Sequence, residues 1–174
     1  MYEAFPLALC LGLLLIGAAC DVATMTIPNW VSIALAAAFA ITAPFVGVGW
    51  TTIGQHLAFG FAVLVASFLL FQAGVFGGGD AKLIAAAAVW TGFAGFLPFA
   101  LWTSLAGGAL ALALYIARKA AKPAEARPAY LNRLLTPHGG VPYGVAIWEG
   151  ANQERAGVKS FTLSLEDLAL DAVL

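Results

Sequence analysis

Phe5-Pro6-Leu7-Ala8-Leu9-Cys10-Leu11-Gly12-Leu13-Leu14-Leu15-Ile16-Gly17-Ala18-Ala19-Cys20 is an unbroken apolar run, and the residue that ends it is a carboxylate, Asp21. A helical run of this length approaches the ~20 residues needed to cross a hydrocarbon core. Four similar runs follow, at about Trp30–Val48, Ile53–Gln72, Ala81–Leu97 and Phe99–Ala117. Between Ala4 and Ala117 the only charged side chains are Asp21, Asp80 and Lys82. Across the 174 residues, 62% are hydrophobic and 10% charged, which excludes an ordinary soluble domain. No alternating ten-residue strand pattern occurs, so the expected fold is all-α: a polytopic membrane helix bundle of five spans with an incomplete sixth.

An ionised carboxylate near hydrocarbon costs several kcal/mol unless water or a partner meets it. Asp21 and Asp80 are therefore the residues to question first. Both fall where Gly, Pro, Thr and Asn interrupt the apolar pattern, in Asp21-Val22-Ala23-Thr24-Met25-Thr26-Ile27-Pro28-Asn29 and in Gly77-Gly78-Gly79-Asp80. Five of the eight Lys and Arg residues (Arg118, Lys119, Lys122, Arg127, Arg133) follow the fifth run, which the positive-inside rule assigns to the cytoplasm. Counting spans backwards puts Asp21 and Asp80 on that same face, although about sixty residues separate them.

A head with Glu3 and no Lys or Arg suits an external N-terminus and argues against a cleaved signal, so the first run is expected to be retained. Cys10 and Cys20 are too few for a four-cysteine zinc site and read as buried thiols. Neither a metal nor an organic cofactor is expected.

Each candidate residue also has a plainer reading. Asp80, ahead of an apolar helix, suits an N-cap, a role that contributes on the order of 1 kcal/mol. Asp21 could simply end its span in water. Pro28 and Asn29 suit a turn and a helix start, and Lys82 could hold an anion or snorkel to the headgroups. Thr24 and Thr26 could orient Asp21 or bond their own backbone. His56 reads as interfacial on the far side, and His138 lies before the Val141–Ile147 block.

Taken together, Asp21 with Ile27-Pro28-Asn29, Gly77-Gly78-Gly79-Asp80 with Lys82, and Val141-Pro142-Tyr143-Gly144-Val145-Ala146-Ile147 resemble the type IV prepilin peptidases, membrane aspartyl proteases with a G-x-G-D motif. The cysteine-rich, methylating addition of the larger members has no counterpart, so the chain looks like the short Flp/Tad pilus form. The resemblance implies Asp21 and Asp80 as the catalytic pair, with Gly77, Gly79, Lys82, Pro28 and Asn29 as substrate-binding or structural support. It implies a prepilin substrate whose leader is cut at the cytoplasmic face of a bacterial inner membrane.

The chemistry fits independently of the name. Two carboxylates sharing one proton can activate a water and protonate the leaving nitrogen of an amide. The glycines would let backbone approach a strand-like substrate or adopt a conformation that a Cβ forbids. Lipid is the other expected partner and nucleic acid is not. A non-cleaving prepilin-binding scaffold and a small carboxylate-dependent carrier remain as alternatives.

The organisation read from sequence is a membrane peptidase domain over 1–147 and a divergent tail over 148–174. The apolar run Val141–Trp148 is too short to cross, and Phe161–Leu174 has the stripe of an amphipathic helix.

Overall fold

A computed structural model describes residues 4–75, 77–120, 128–136 and 139–154. These form six helices and no strand: α1 (Ala4–Thr24), α2 (Asn29–Phe45), α3 (Trp50–Gln72), α4 (Gly78–Ala120), α5 (Ala129–Leu135) and α6 (residues 143–154). The protein is an all-α membrane protein. Three segments are long and apolar enough to cross a bilayer, Phe5–Thr24, Trp50–Gln72 and Gly78–Ala120, and α2 is a shorter apolar helix. Large side chains such as Phe45, Trp50, Phe61, Phe93 and Leu97 point outward. In water such a surface would aggregate, whereas in lipid it is the expected covering.

α4 does not run straight. Asp80 near its start and Gly107 in its later part would be roughly 40 Å apart along an unbroken helix. Yet Tyr143 lines one cavity with Asp80, and a Cβ on Gly107 would fall 2.6 Å from its ring. The chain folds back at Gly92, whose φ of 61° lies in the left-handed region that a Cβ disfavours. The inside of this reversal is filled by His56 of α3, whose Nδ1 meets the Val89 carbonyl oxygen at 2.8 Å and whose ring stacks on Phe39. The break between the fourth and fifth runs is therefore at Gly92 and not at Pro98, which the second arm carries within it. His56 is correspondingly the packing element of a hairpin, not a free interfacial residue.

α3 lies antiparallel to the first arm of α4: Phe71 packs near Gly78, Gly60 lies against Val89, and His56 sits at Gly92. α6 lies antiparallel to the second arm, with Tyr143 near Gly107, Gly150 against Thr103 and Phe99, and Glu154 near Gly95. Leu14 of α1, Val31 and Leu35 of α2, Leu83 and Phe99 of α4 and Ile147 of α6 are wholly buried in a shared core. Cys10 is buried there as well. Trp90 adds a long-range tie by donating from Nε1 to the Leu35 carbonyl oxygen at 2.8 Å.

The described part of α6 is about 18 Å long, shorter than a full crossing. It runs through the expected boundary at 147/148, while Phe161–Leu174 and His138 lie outside the described residues.

Candidate active site

Asp21 belongs to the last turn of α1, one turn before the helix ends at Thr24. It is buried, 6% exposed. The chain leaves α1 through Met25, a non-glycine residue at φ 54°, whose N–H donates to the Asp21 carbonyl oxygen at 2.7 Å. Ile27 then drops into the core and Pro28 caps α2. Thr24 and Thr26 donate their hydroxyls to backbone oxygens, Thr24 to Cys20 and Thr26 to Thr24. They bond locally and leave Asp21 to another partner.

That partner is α6. The Gly144 N–H donates to Asp21 Oδ2 at 2.8 Å. A free N–H in the first turn of a helix is the natural donor to a carboxylate, and the aligned peptide dipoles add a favourable field there. The approach is close: a Cβ on Gly144 would lie 3.1 Å from both Ala18 Cα and Asp21 Cβ.

Asp80 comes to the same place from the opposite side. Gly77 is the cap of α4, since its carbonyl oxygen accepts from the Ala81 N–H at 3.0 Å. Asp80 is therefore the third helical residue, not the N-cap, and its carboxylate turns back to accept the Gly77 N–H, the acidic half of a capping box. Gly77 and Gly79 have steric reasons to lack side chains. A Cβ on Gly77 would lie 2.8 Å from Asp80 Oδ2, and one on Gly79 would lie 3.2 Å from Ile27 Cβ. Positive φ is confined to Gly47, Gly74, Gly92 and Met25 among the described residues, so unusual backbone conformation is not what the glycines beside Asp80 supply.

The two carboxyl groups line one cavity of about 800 Å³ and interact electrostatically across it. Gly77, Gly78 and Gly79 form one wall, Met25, Ile27 and Phe71 the apolar part, and Gly140, Val141 and Tyr143 the side nearest α6. Among the described residues no three His, Cys, Asp or Glu side chains converge as a metal cage would need. A pair of carboxyls, Asp21 buried and Asp80 half-buried, each accepting a backbone N–H and lining one part-apolar cavity, suits water activation beside an extended peptide.

The model of the type IV leader peptidase family matches residues 8–112. The chain belongs to the type IV leader peptidase family. No curated protein and no solved structure gives a significant match. The matched stretch carries α1 to the second arm of α4, and so both carboxylates. α6, which holds Asp21, lies beyond it.

Of the remaining residues singled out from sequence in this peptidase-family chain, Lys82 and Asn29 form a pair. Lys82 Nζ donates to Asn29 Oδ1 at 2.9 Å, joining the start of α2 to the start of α4. Asn29 is the first residue of α2, and Pro28, with no side-chain cap bond, holds the cap position. Pro28 acts through its fixed backbone, its carbonyl oxygen accepting from the Val31 N–H at 3.1 Å. Both Asn29 and Lys82 line the cavity.

Sequence reading gave no role to Arg118 and Arg133 beyond their charge. Arg118 bonds the Leu134 and Gly140 carbonyl oxygens, each at 2.7 Å, and Arg133 bonds the Ala23 carbonyl oxygen at 2.9 Å. These bonds pin the α5 segment to the ends of α1 and α4 and hold Gly140 at the cavity rim. Only the clustering of the basic residues hinted at this.

Proposed function

We propose that this chain is a membrane aspartyl endopeptidase that removes the short cytoplasmic leader from Flp-type prepilins. The observation that supports it most is the meeting of Asp21 and Asp80 across one cavity, each with an oxygen held by a backbone N–H. In this reading the pair holds a single proton. The ionised member takes a proton from a water as its oxygen adds to the scissile carbonyl, and the protonated member gives its proton to the departing nitrogen. The titration belongs to the pair and not to either residue. Asp21 and Asp80 are the catalytic residues, Gly77 and Gly79 shape the wall that an extended peptide would follow, and Lys82, Asn29 and Pro28 support the rim.

Placement on the cytoplasmic side of a bacterial inner membrane rests on the basic cluster after α4. Arg118, the first residue of that cluster, bonds the carbonyl oxygen of Gly140, which lines the cavity, and this supports the placement. The test is an electrophoretic shift of a co-expressed Flp-type prepilin with the wild type, Asp21→Asn and Asp80→Asn, each shown to be in the membrane. Shortening by the wild type and not by either variant is expected. An uncut prepilin with the wild type, across several prepilins, would overturn the reading in favour of a scaffold or carrier.

A further inference from the structure

A second cavity, of about 530 Å³, opens between α2, α3 and the first arm of α4. It is lined by apolar side chains, among them Ile33, Ala36, Leu57 and Val89. Two features distinguish it from a lipid-facing crevice. It shares Asn29 and Lys82 with the carboxylate cavity, so the two spaces adjoin at that hydrogen-bonded pair. It also contains Ser32, whose Oγ is buried with no hydrogen-bond partner while the residue is 9% exposed. A buried hydroxyl left unpaired costs free energy that a ligand group can recover, and lipid tails offer nothing to bond it.

We infer that this groove receives the apolar segment of the polypeptide substrate immediately beyond the scissile bond, with Ser32 bonding a backbone group of that segment. The inference rests on the peptidase reading and deepens it. A chain lying across Asp21 and Asp80 passes Asn29 and Lys82 to leave the polar cavity, and the groove is the apolar space on the other side. An apolar peptide matches its walls. A backbone carbonyl freed where the segment departs from helix matches the Ser32 hydroxyl, since such groups need partners away from water. Gly60 lets α3 close on the first arm of α4 beside the groove, because a Cβ there would overlap the Val89 side chain.

The experiment places a benzophenone photo-crosslinking amino acid at Ile33, at Leu57 and, as a control, at Leu101, which is exposed on the second arm of α4 and outside the groove. A full-length Flp-type prepilin is co-expressed, and wild-type cleavage is scored in parallel. Crosslinks from Ile33 and Leu57 to the apolar segment, several-fold stronger than from Leu101, are expected. A second measurement uses Ala36→Phe, which fills the groove. The apparent KM for the full prepilin should rise tenfold or more, with cleavage of a leader peptide truncated just after the scissile bond unchanged. Cleavage by the wild type without groove-specific crosslinks overturns the inference and leaves the peptidase standing. Groove-specific crosslinks without cleavage uphold the groove as a prepilin site while the peptidase reading fails. Absence of both overturns both.

Discussion

The Gly144 N–H and Asp21 Oδ2 meet at 2.8 Å across 123 residues of sequence, so the orientation of one carboxylate is set by a helix remote from it in the chain. The bond is buried, and its acceptor is one half of the candidate dyad. A hydrogen bond to a charged group in such a place contributes about 1.5–3 kcal/mol.

Gly144→Ala tests that bond. The added methyl meets Ala18 Cα and Asp21 Cβ at 3.1 Å, closer than most packed carbons come, so α6 and α1 must part by a few tenths of an ångström. Cleavage of a Flp-type prepilin should fall by about tenfold or more, corresponding to the loss of roughly 1.5 kcal/mol or more of that interaction, with the protein still present in the membrane. An unchanged rate would show that Asp21 is oriented without α6.

Gly92→Ala should destabilise the fold. Its φ of 61° with ψ of −173° lies in a region that is essentially glycine-only and costs a residue with a Cβ about 1–3 kcal/mol, and the methyl would lie 2.6 Å from His56 Cε1. Thermal unfolding in detergent should show a clear drop in midpoint. Adding His56→Ala should return the steric part while the backbone part remains, so the double variant is less impaired than the two single losses summed.

Met25→Gly should act in the opposite direction. A non-glycine residue at φ 54° stores strain at the end of α1, and glycine in a left-handed C-terminal position releases about 1 kcal/mol. Higher thermal stability is the expected outcome. If activity falls at the same time, the Met25 side chain in the cavity wall contributes to substrate binding as well.

Lys82 and Asn29 should behave as a unit. Because the ammonium donates to the amide oxygen, Lys82→Met and Asn29→Ala each remove the same bond. The double variant should be no less stable than the worse single variant. Fully additive losses would show that the pair does not act through its mutual bond.

In the proposed mechanism the pH dependence follows from one shared proton. Raising pH strips the proton from the pair and removes the acid for the leaving nitrogen. Lowering pH adds a second proton and removes the base for water. Cleavage in proteoliposomes should therefore fall on both sides of an optimum, whereas a single-carboxylate mechanism would give one limb.

Much of the bundle was legible because membrane helices announce themselves by length and hydropathy. α1, α2 and α3 lie where their apolar runs do. The reversal inside α4 was misplaced to Pro98 because proline is the louder local signal. The decision fell at Gly92, where the chain needs a left-handed residue and where His56, 36 positions earlier in the sequence, fills the turn. Asp80 was readable as a helix-start residue, but its exact place was not. Whether an acidic side chain caps from the cap position or from the third residue depends on which carbonyl closes the first turn, here Gly77.

The sequence by itself determined that the chain lives in a membrane, that it is helical, and that Asp21 and Asp80 are the charges needing an explanation, because the cost of burying charge depends on local composition alone. Only the tertiary structure decided that these carboxylates face one cavity, that α6 supplies the donor to Asp21, and that Lys82 finds Asn29. Those relations join residues from 53 to 123 positions apart, and contacts at such separations are set by how helices pack, through buried residues such as Leu14, Leu35, Leu83 and Ile147, which no local pattern encodes.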